Sequence, residues 1–128
     1  MNKALLVTPS PGAFAPFGAA LSGEGFSLAR ADSGQAALAA VGGEAPDLVI
    51  IDDQLRDVSA LELIKRILET NAFVNTAVVT SLGEEEFHEA YEGLGVLCHL
   101  PPRPGLAEAQ DLARKLRDLT APPPPRQG

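Results

Sequence analysis

Short runs of hydrophobic residues alternate along the chain with longer segments in which apolar residues recur every three or four positions. The five runs are KALLVT, FSLARA, DLVIID, TAVVTS and VLCHL. The stretch from Leu48 to Ile51 is apolar at every position, which is typical of a strand buried on both faces. A buried helix could give one such run, but five short runs flanked by turn residues favour strands. The pattern predicts a five-fold βα alternation and a parallel sheet covered by helices on both faces.

The segments between the runs predict amphipathic helices. Ser59 and Glu62 have the capping-box spacing at the start of SALELIKRILETN. Pro16 is tolerated only in the first turn of a helix, so the first helix should begin just before it or be bent there. The predicted core-facing stripes are Leu61, Ile64 and Leu68 in the third helix, Phe87, Ala90, Tyr91 and Leu94 in the fourth, and Leu106, Ala109, Ala113 and Leu116 in the fifth.

The length and composition are those of one folded domain. The chain has 128 residues, of which 45% are hydrophobic and 21% are charged. This length allows one ordinary core but not two. We therefore expect a single domain over residues 1–119. The last stretch, APPPPRQG, has nothing apolar to bury and cannot continue a helix, so residues 120–128 are expected to form an extended proline-rich tail.

Charge and cysteine content narrow the classes of function. The net charge is −7, and no basic cluster interrupts it, so a nucleic-acid partner is not expected. The sequence has no charged-then-apolar leader and no apolar stretch of about 18 residues, which predicts a protein outside the membrane. The single cysteine cannot form an intramolecular disulfide. We expect a cytoplasmic location.

Candidate functional residues follow the predicted strands. In an open parallel sheet, function gathers at the carboxyl ends of the strands, where loops and helix N-termini meet. Thr8 follows the first strand, Asp52 the third, Thr80 the fourth, and Leu100 with Pro101 the fifth. These positions are where the chemistry of the site should be sought.

The segment PDLVIIDDQLRDVSALELIKRI resembles the third strand, phosphoacceptor loop and third helix of the receiver domain of bacterial response regulators. The order and length of the elements extend the resemblance over roughly residues 2–119. It implies the flavodoxin-like (βα)5 fold of CheY-like proteins, a three-layer α/β sandwich with parallel strands in the order 2-1-3-4-5. It also implies that Asp52 is the phosphoacceptor, that Thr80 is the switch hydroxyl, and that Asp52 and the backbone carbonyl of Gln54 are ligands of Mg²⁺.

The sequence departs from the family pattern around this site. Family members usually end the first strand with two acids that hold Mg²⁺ and carry a lysine before the proline after strand five. The residues that stand at the departing positions are Thr8, Pro9 and Ser10 for the acids, Leu100 for the lysine, Arg56 and Ala60 for the loop proline and glycine, and Leu97 for the aromatic switch residue. Because Mg²⁺ usually needs one or two carboxylates together with phosphate and water, we expect weak or absent Mg²⁺ binding.

Other polar residues could replace the missing groups. Asp32 and Asp57 could supply a carboxylate, and Arg56 or Arg103 a positive charge, but solvated loop charges are the favoured interpretation. Asp53 follows Asp52 directly, and successive strand side chains point to opposite faces, so both should not enter one pocket.

Cys98, His99 and the more distant His88 are candidate metal or nucleophile residues. Cys98 and His99 are adjacent on a strand, so their side chains should point to opposite faces. Core packing is the favoured interpretation of Cys98, and a partly buried strand position that of His99.

These observations predict a non-enzymatic receiver domain that signals by protein–protein interaction with impaired or no aspartyl phosphorylation. The expected partner is a histidine kinase or a downstream signalling protein. It would bind the face formed by helix 4, strand 5 and helix 5, which includes Tyr91, Leu97 and Arg103 and could also form a homodimer. Two alternatives remain: a working phosphoacceptor at Asp52 with an unusual Mg²⁺ site, and a small-molecule or cofactor binder at the carboxyl ends of the strands.

Overall fold

A computed structural model describes residues 2–120 of the chain. Five parallel strands form one sheet in the order β2-β1-β3-β4-β5, and five α-helices connect and cover them. The strands are β1 (Asn2–Val7), β2 (Phe26–Ala31), β3 (Leu48–Asp52), β4 (Asn75–Val79) and β5 (Cys98–Leu100). The helices are α1 (Ala15–Gly23), α2 (Gly34–Gly42), α3 (Ala60–Thr70), α4 (Glu84–Ala90) and α5 (Leu106–Thr120), and a 3-10 turn at Pro11–Phe14 precedes α1. The predicted (βα)5 fold and strand order are confirmed.

The sheet separates two hydrophobic cores. On one face, residues of α1 and α5 such as Phe17 and Leu112 pack against the strands. On the other face, α2, α3 and α4 contribute Val41, Ile64 and Phe87. Every residue of β3 is buried, as its continuous apolar run predicted. The result is the predicted three-layer sandwich with the functional end at the carboxyl edge of the sheet.

The strand register brings the polar strand ends together. Val7 of β1 lies opposite Ile51 of β3, so Thr8 and Asp52 come next on neighbouring strands. Asp52 in turn lies opposite Val79 of β4, which Thr80 follows. Residues far apart in sequence therefore meet at one edge of the sheet.

Helix starts were predicted better than helix faces. Helix α1 begins at Ala15, just before Pro16, and the Ser59 hydroxyl accepts a hydrogen bond from the Glu62 backbone N–H at 3.1 Å, so both predicted N-termini are confirmed. The stripe of α3 was wrong in part. Leu61 and Leu68 are only half-buried, and the buried residues are Ala60, Leu63, Ile64 and Ile67.

The predicted stripes of α4 and α5 also need correction. Helix α4 ends at the exposed Ala90, so Tyr91 and Leu94 lie in the following turn and are half-buried. In α5, Leu106 is 60% exposed because it opens the helix, and Leu112 fills the core instead, next to the correctly predicted residues Ala109, Ala113 and Leu116. The proline-rich tail predicted for residues 120–128 lies outside the described residues, except for Thr120, which ends α5.

Candidate functional site

Asp52 is the buried acid at the centre of the candidate site. It ends β3 and is only 7% exposed. Its two carboxylate oxygens both accept hydrogen bonds: Oδ2 from the Thr8 hydroxyl at 2.7 Å and Oδ1 from the Gln54 backbone N–H at 3.0 Å. A buried carboxylate needs such donors, because an unsatisfied charged oxygen is costly inside a protein. The chain therefore supplies its own donors to this carboxylate.

Thr8 is held in place by its backbone neighbours. Its N–H donates to the Ala31 carbonyl of β2 at 2.9 Å, and the residue is 1% exposed. Its hydroxyl oxygen accepts from the Ser10 backbone N–H at 3.0 Å, and its own proton is directed to Asp52. The sequence placed Thr8 among the strand-end positions of the site and in the place of a missing acid, but it did not predict the hydrogen bond to Asp52. The position of Thr8 after the first strand was the available signal for this contact, because the first strand lies beside the third in a sheet of order 2-1-3.

Thr80 lies at the end of the next strand and is 2% exposed. Its N–H donates to the Leu100 carbonyl at 2.9 Å, and its hydroxyl oxygen accepts from the Leu82 backbone N–H at 3.2 Å. The hydroxyl proton remains available as a donor, because that bond uses only an oxygen lone pair. Thr80 is thus placed at the same edge as Asp52, as its position in the sequence predicted.

A cavity of about 240 Å³ opens above Asp52. Both Asp52 and Asp53 line it, with Gln54, Ser81 and Arg103. Both acids were not expected to enter one pocket easily, and they do so because β3 ends at Asp52 and Asp53 already belongs to a turn. The Gln54 side-chain amide donates to Asp53 Oδ1 at 3.0 Å, so this second acid also has a partner.

Arg103 is the cation that lines this cavity. It is exposed, and its backbone has a φ of 55°, a left-handed conformation that residues other than glycine adopt at a cost of about 1–2 kcal/mol. Pro102 and Pro104 flank it. The cavity therefore has acids on its inner side and one positive charge at its mouth.

The other loop charges are used elsewhere. Asp57 accepts hydrogen bonds from the backbone N–H groups of Gly34 at 3.0 Å and Gln35 at 3.1 Å, so it caps α2. These two bonds hold the pKa of the Asp57 carboxyl below its usual value of 3.8. Asp32 and Arg56 are exposed on loops, and Asp32 lines a separate cavity beside Thr8. None of these three lines the cavity above Asp52.

Metal-ligating side chains are scattered over the described part of the chain. Within residues 2–120, no group of three His, Cys, Asp or Glu side chains is placed to hold a metal ion. Cys98 is buried, as predicted, and burial raises the pKa of its thiol above 9.0. His99 stacks on Phe87 with ring centroids 4.5 Å apart, and exposed His88 lies 3.7 Å from a Glu84 carboxylate oxygen.

The three residues predicted for an interaction face lie on two surfaces. Tyr91 and Leu97 line an open groove of about 640 Å³ between α4 and α5, beside β5. Arg103 lies at the cavity above Asp52 instead. Burial, and secondly the negative charge of Asp53, raise the pKa of Tyr91 above 10.0, so the groove is within electrostatic reach of the loop between β3 and α3.

Comparison with known proteins identifies a family and a fold. The profile of the response regulator receiver domain matches residues 5–101. Sporulation initiation phosphotransferase F of Bacillus subtilis is 28% identical over 96 residues, which span 75% of this chain and 77% of that protein.

Solved structures show the same architecture. A two-component response regulator from Clostridium difficile superposes with a TM-score of 0.82 at 17% identity, covering 94% of this chain and 100% of that one. A CheY-like receiver domain protein from Methanospirillum hungatei gives a TM-score of 0.80 at 18% identity, with 92% and 95% covered. At these identities the likeness shows the fold alone.

No helix within residues 2–120 is long and apolar enough to cross a membrane.

Proposed function

The chain belongs to the response regulator receiver domain family, and we propose that within two-component signalling it acts as a non-enzymatic binding module whose output does not depend on phosphorylation of Asp52. A histidine kinase or a downstream signalling protein would be the partner. The observation that carries this proposal is the hydrogen bond from the Thr8 hydroxyl to Asp52 Oδ2, at 2.7 Å.

This hydrogen bond supports the proposal because of the position that Thr8 occupies. Receiver domains usually have an acid there that would help to hold Mg²⁺. Here a neutral hydroxyl donates to the carboxylate directly, and the Gln54 N–H engages the other oxygen. Attack on a phosphoryl group uses a lone pair of one of these oxygens, and a hydrogen bond to that oxygen makes it less nucleophilic. The hydrogen bonds stabilise the resting carboxylate and so oppose the reaction.

Charge neutralisation is the second support. Phosphoryl transfer depends on positioning and on cations that balance the charge on the transferred group. Leu100 stands where the family usually has a lysine, and it is an apolar residue only 3% exposed. The negative Asp53 also lines the cavity. A dianionic phosphoryl group on Asp52 would therefore be repelled by Asp53 and would have no lysine at position 100.

We propose that Mg²⁺ binds weakly at this site. The carboxylates that line the cavity belong to Asp52 and Asp53, and both already accept hydrogen bonds. Donors engage both oxygens of Asp52 and Oδ1 of Asp53. The Gln54 carbonyl adds at most one neutral ligand. Mg²⁺ is an octahedral ion that gives up its water reluctantly, so it has little to gain from this donor set.

The test is the intact mass of the chain after incubation with acetyl phosphate or phosphoramidate and Mg²⁺. Samples are kept cold and near neutral pH to preserve an acyl phosphate. We expect no added phosphoryl mass in the wild-type chain. Thr8→Asp/Pro9→Asp is the matched variant, because it restores two acids at the end of β1, and it should gain Mg²⁺ affinity.

The same experiment can overturn the proposal. If the wild-type chain gains the mass of one phosphoryl group and Asp52→Asn does not, Asp52 is a working phosphoacceptor and Thr8 does not prevent its reaction. A gain that persists in Asp52→Asn would place the modification on another residue and leave the proposal for Asp52 intact.

A working phosphoacceptor is the second candidate, and the observation that favours it is the position of Arg103. This exposed arginine lines the same cavity as Asp52. Its guanidinium could balance charge on a phosphoryl group in place of the missing lysine. On this alternative, the wild-type chain is labelled and Arg103→Ala is labelled far more slowly, whereas Arg56→Ala, outside the cavity, behaves as the wild type.

A further inference from the structure

The α4–β5 groove combines an apolar, aromatic floor with an acidic rim. Phe87 is 4% exposed and forms the centre of the floor. Tyr91 stacks on one side of it at 5.1 Å between ring centroids, and His99 on another at 4.5 Å. Val96 and Leu97 extend the floor and are half-buried. A half-exposed apolar surface inside a groove of about 640 Å³ is suited to bury a side chain of a partner.

The segment from residue 84 to residue 92 carries five glutamates and no lysine or arginine, and its residues 84, 89 and 92 line the groove. The glutamates are Glu84, Glu85, Glu86, Glu89 and Glu92, all exposed. Glu84 lies 3.7 Å from His88, and no ion pair is found for the other four within the described residues. Lys115 is the cation that lines the groove, and it pairs with Asp111 at 3.1 Å. The groove therefore presents uncompensated negative charge.

Helix stability does not explain all of these acids. Glu84, Glu85 and Glu86 lie in the first turn of α4, where negative charge interacts favourably with the helix dipole. Glu89 is one residue from the carboxyl end and Glu92 lies just beyond it, where the dipole disfavours an acid. Glu89 also lies four residues from Glu85, and like charges at this spacing repel. Acids placed against these local rules indicate a surface selected for binding.

We propose that this groove docks a cationic amphipathic segment of the signalling partner, with an aliphatic or aromatic side chain over Phe87 and lysines or arginines against Glu89 and Glu92. The inference rests on the proposed function and specifies the chemistry of its partner. A second copy of the chain is disfavoured as the occupant, because a symmetric contact would bring two acidic rims together on chains of net charge −7.

The test is a titration of isotope-labelled, unphosphorylated chain with two synthetic peptides, followed by NMR. One peptide places leucines on one face of a helix and lysines on the other, and its counterpart has glutamate for every lysine. We expect the lysine peptide to shift amide signals of residues 84–99 and to bind more weakly as salt rises. Comparable binding of the glutamate peptide, or shifts centred elsewhere, would overturn the proposal.

Variants locate the interaction. Glu89→Lys/Glu92→Lys should weaken binding about tenfold, since two favourable rim charges become repulsive. Glu69→Lys is the control for single charge reversal, because Glu69 is exposed on α3 and does not line the groove, and it should change affinity less than twofold. If both variants lost the same amount of peptide affinity, the effect would come from net charge alone, and the docking site would be overturned. The amide spectrum of each variant shows whether it is folded, and the salt titration of the wild type needs no variant.

Three further outcomes distinguish this proposal from a dimer and from the proposed function. Sedimentation that shows a dimer broken by Glu89→Lys/Glu92→Lys would identify a second copy as the occupant and overturn the cationic partner. A chain that takes no phosphoryl group and does not bind the lysine peptide would keep the proposed function and remove only the partner chemistry. A chain that is phosphorylated on Asp52 but binds the lysine peptide would keep the partner chemistry and remove the proposed function.

Discussion

The hydroxyl of Thr8 and the carboxylate of Asp52 lie 44 residues apart in sequence and form a buried hydrogen bond of 2.7 Å. The parallel pairing of β1 with β3 brings them together. The pair joins the two strands at their carboxyl ends, where the loops of the site begin. It therefore contributes to the stability of the fold and supplies a hydrogen-bond donor to the Asp52 carboxylate.

Thr8→Val keeps the shape of the side chain but removes the donor, so Asp52 Oδ2 is left buried without it. We expect the free energy of unfolding to fall by about 1–3 kcal/mol. Thr8→Ser retains the hydroxyl and should cost less. Urea denaturation of Thr8→Val, Asp52→Ala and the double variant measures the coupling, and the double variant should be more stable than the sum of the single losses predicts. Equal costs for Thr8→Val and Thr8→Ser would show that the hydrogen bond contributes nothing.

The strands could be predicted from sequence because their signal is local. A run such as Leu48–Ile51 is apolar at every position whatever its neighbours are. The helix faces were harder to predict. Leu61, Ile64 and Leu68 fit helical spacing as well as the buried residues Leu63, Ile64 and Ile67 do, and only packing against the sheet decides between them.

The end of α4 shows a second limit of prediction from sequence. Tyr91 and Leu94 continue the helical spacing of Phe87, but the helix stops at Ala90. Gly93 and Gly95 have φ of 81° and 64°, and a right-handed helix cannot continue through such residues. A glycine in a sequence does not reveal its φ, so the turn could not be distinguished from another half-turn of helix.

The site could be predicted in part. Asp52, Thr80 and the missing acid at Thr8 follow from strand ends and from the family pattern. The hydrogen bond of Thr8 and the cap that Asp57 places on α2 depend on register and loop path, which span 44 and 23 residues. Such contacts are a property of the folded chain, so the local pattern around either residue does not contain them.

Gly34 should be intolerant of a side chain. It begins α2 against the β3–α3 loop, and a Cβ there would lie 2.2 Å from Val58 Cγ1. We expect Gly34→Ala to lower the free energy of unfolding by about 1–3 kcal/mol through this overlap. Gly42→Ala, at the other end of the same helix, meets nothing within 4 Å and should be neutral or stabilising by up to about 1 kcal/mol. Thermal or urea unfolding compares the two.

A rescue variant distinguishes overlap from other causes. Gly34→Ala/Val58→Ala removes the methyl group that the new Cβ would meet, so it should be more stable than the two separate losses predict. A strictly additive result would show that the cost of Gly34→Ala does not come from Val58.

Asp57 should stabilise the start of α2 in its ionised form. The Ser33 hydroxyl accepts from the Ala36 N–H, and Asp57 accepts from the N–H groups of Gly34 and Gln35, so side chains cap the first turn. In Asp57→Ala, hydrogen exchange of Gly34 and Gln35 should become faster. Exchange in α5 should not change, and a general increase there would indicate global destabilisation instead of a lost cap.

The same cap should depend on pH. The two backbone donors hold the pKa of Asp57 below 3.8 in the folded chain. A carboxyl with a lowered folded pKa contributes stability above its unfolded pKa and loses that contribution as pH falls through the folded value. The stability difference between wild type and Asp57→Asn should therefore shrink below about pH 4. A difference that stays constant through the acid range would contradict the role of the ionised carboxylate.

Tyr91 should report the charge of Asp53. The chain has one tyrosine and no tryptophan, so tyrosinate absorbance follows a single group. Burial and then the negative charge of Asp53 raise the pKa of Tyr91 above 10.0. Asp53→Asn should lower it, but not to the ordinary value, because burial is the larger cause. Glu69→Gln, an exposed acid outside the groove, is the control and should leave the titration unchanged.

This titration also has a consequence for stability. The unfolded chain ionises its tyrosine near pH 10, before the folded chain does, so the free energy of unfolding should fall as pH rises through this range. The fall should be smaller in Asp53→Asn, since less of the shift remains. If Asp53→Asn and wild type titrate alike, the carboxylate of Asp53 does not act on the groove. The two surfaces would then be electrostatically independent, and a partner in the groove would have no means of sensing Asp53 through Tyr91.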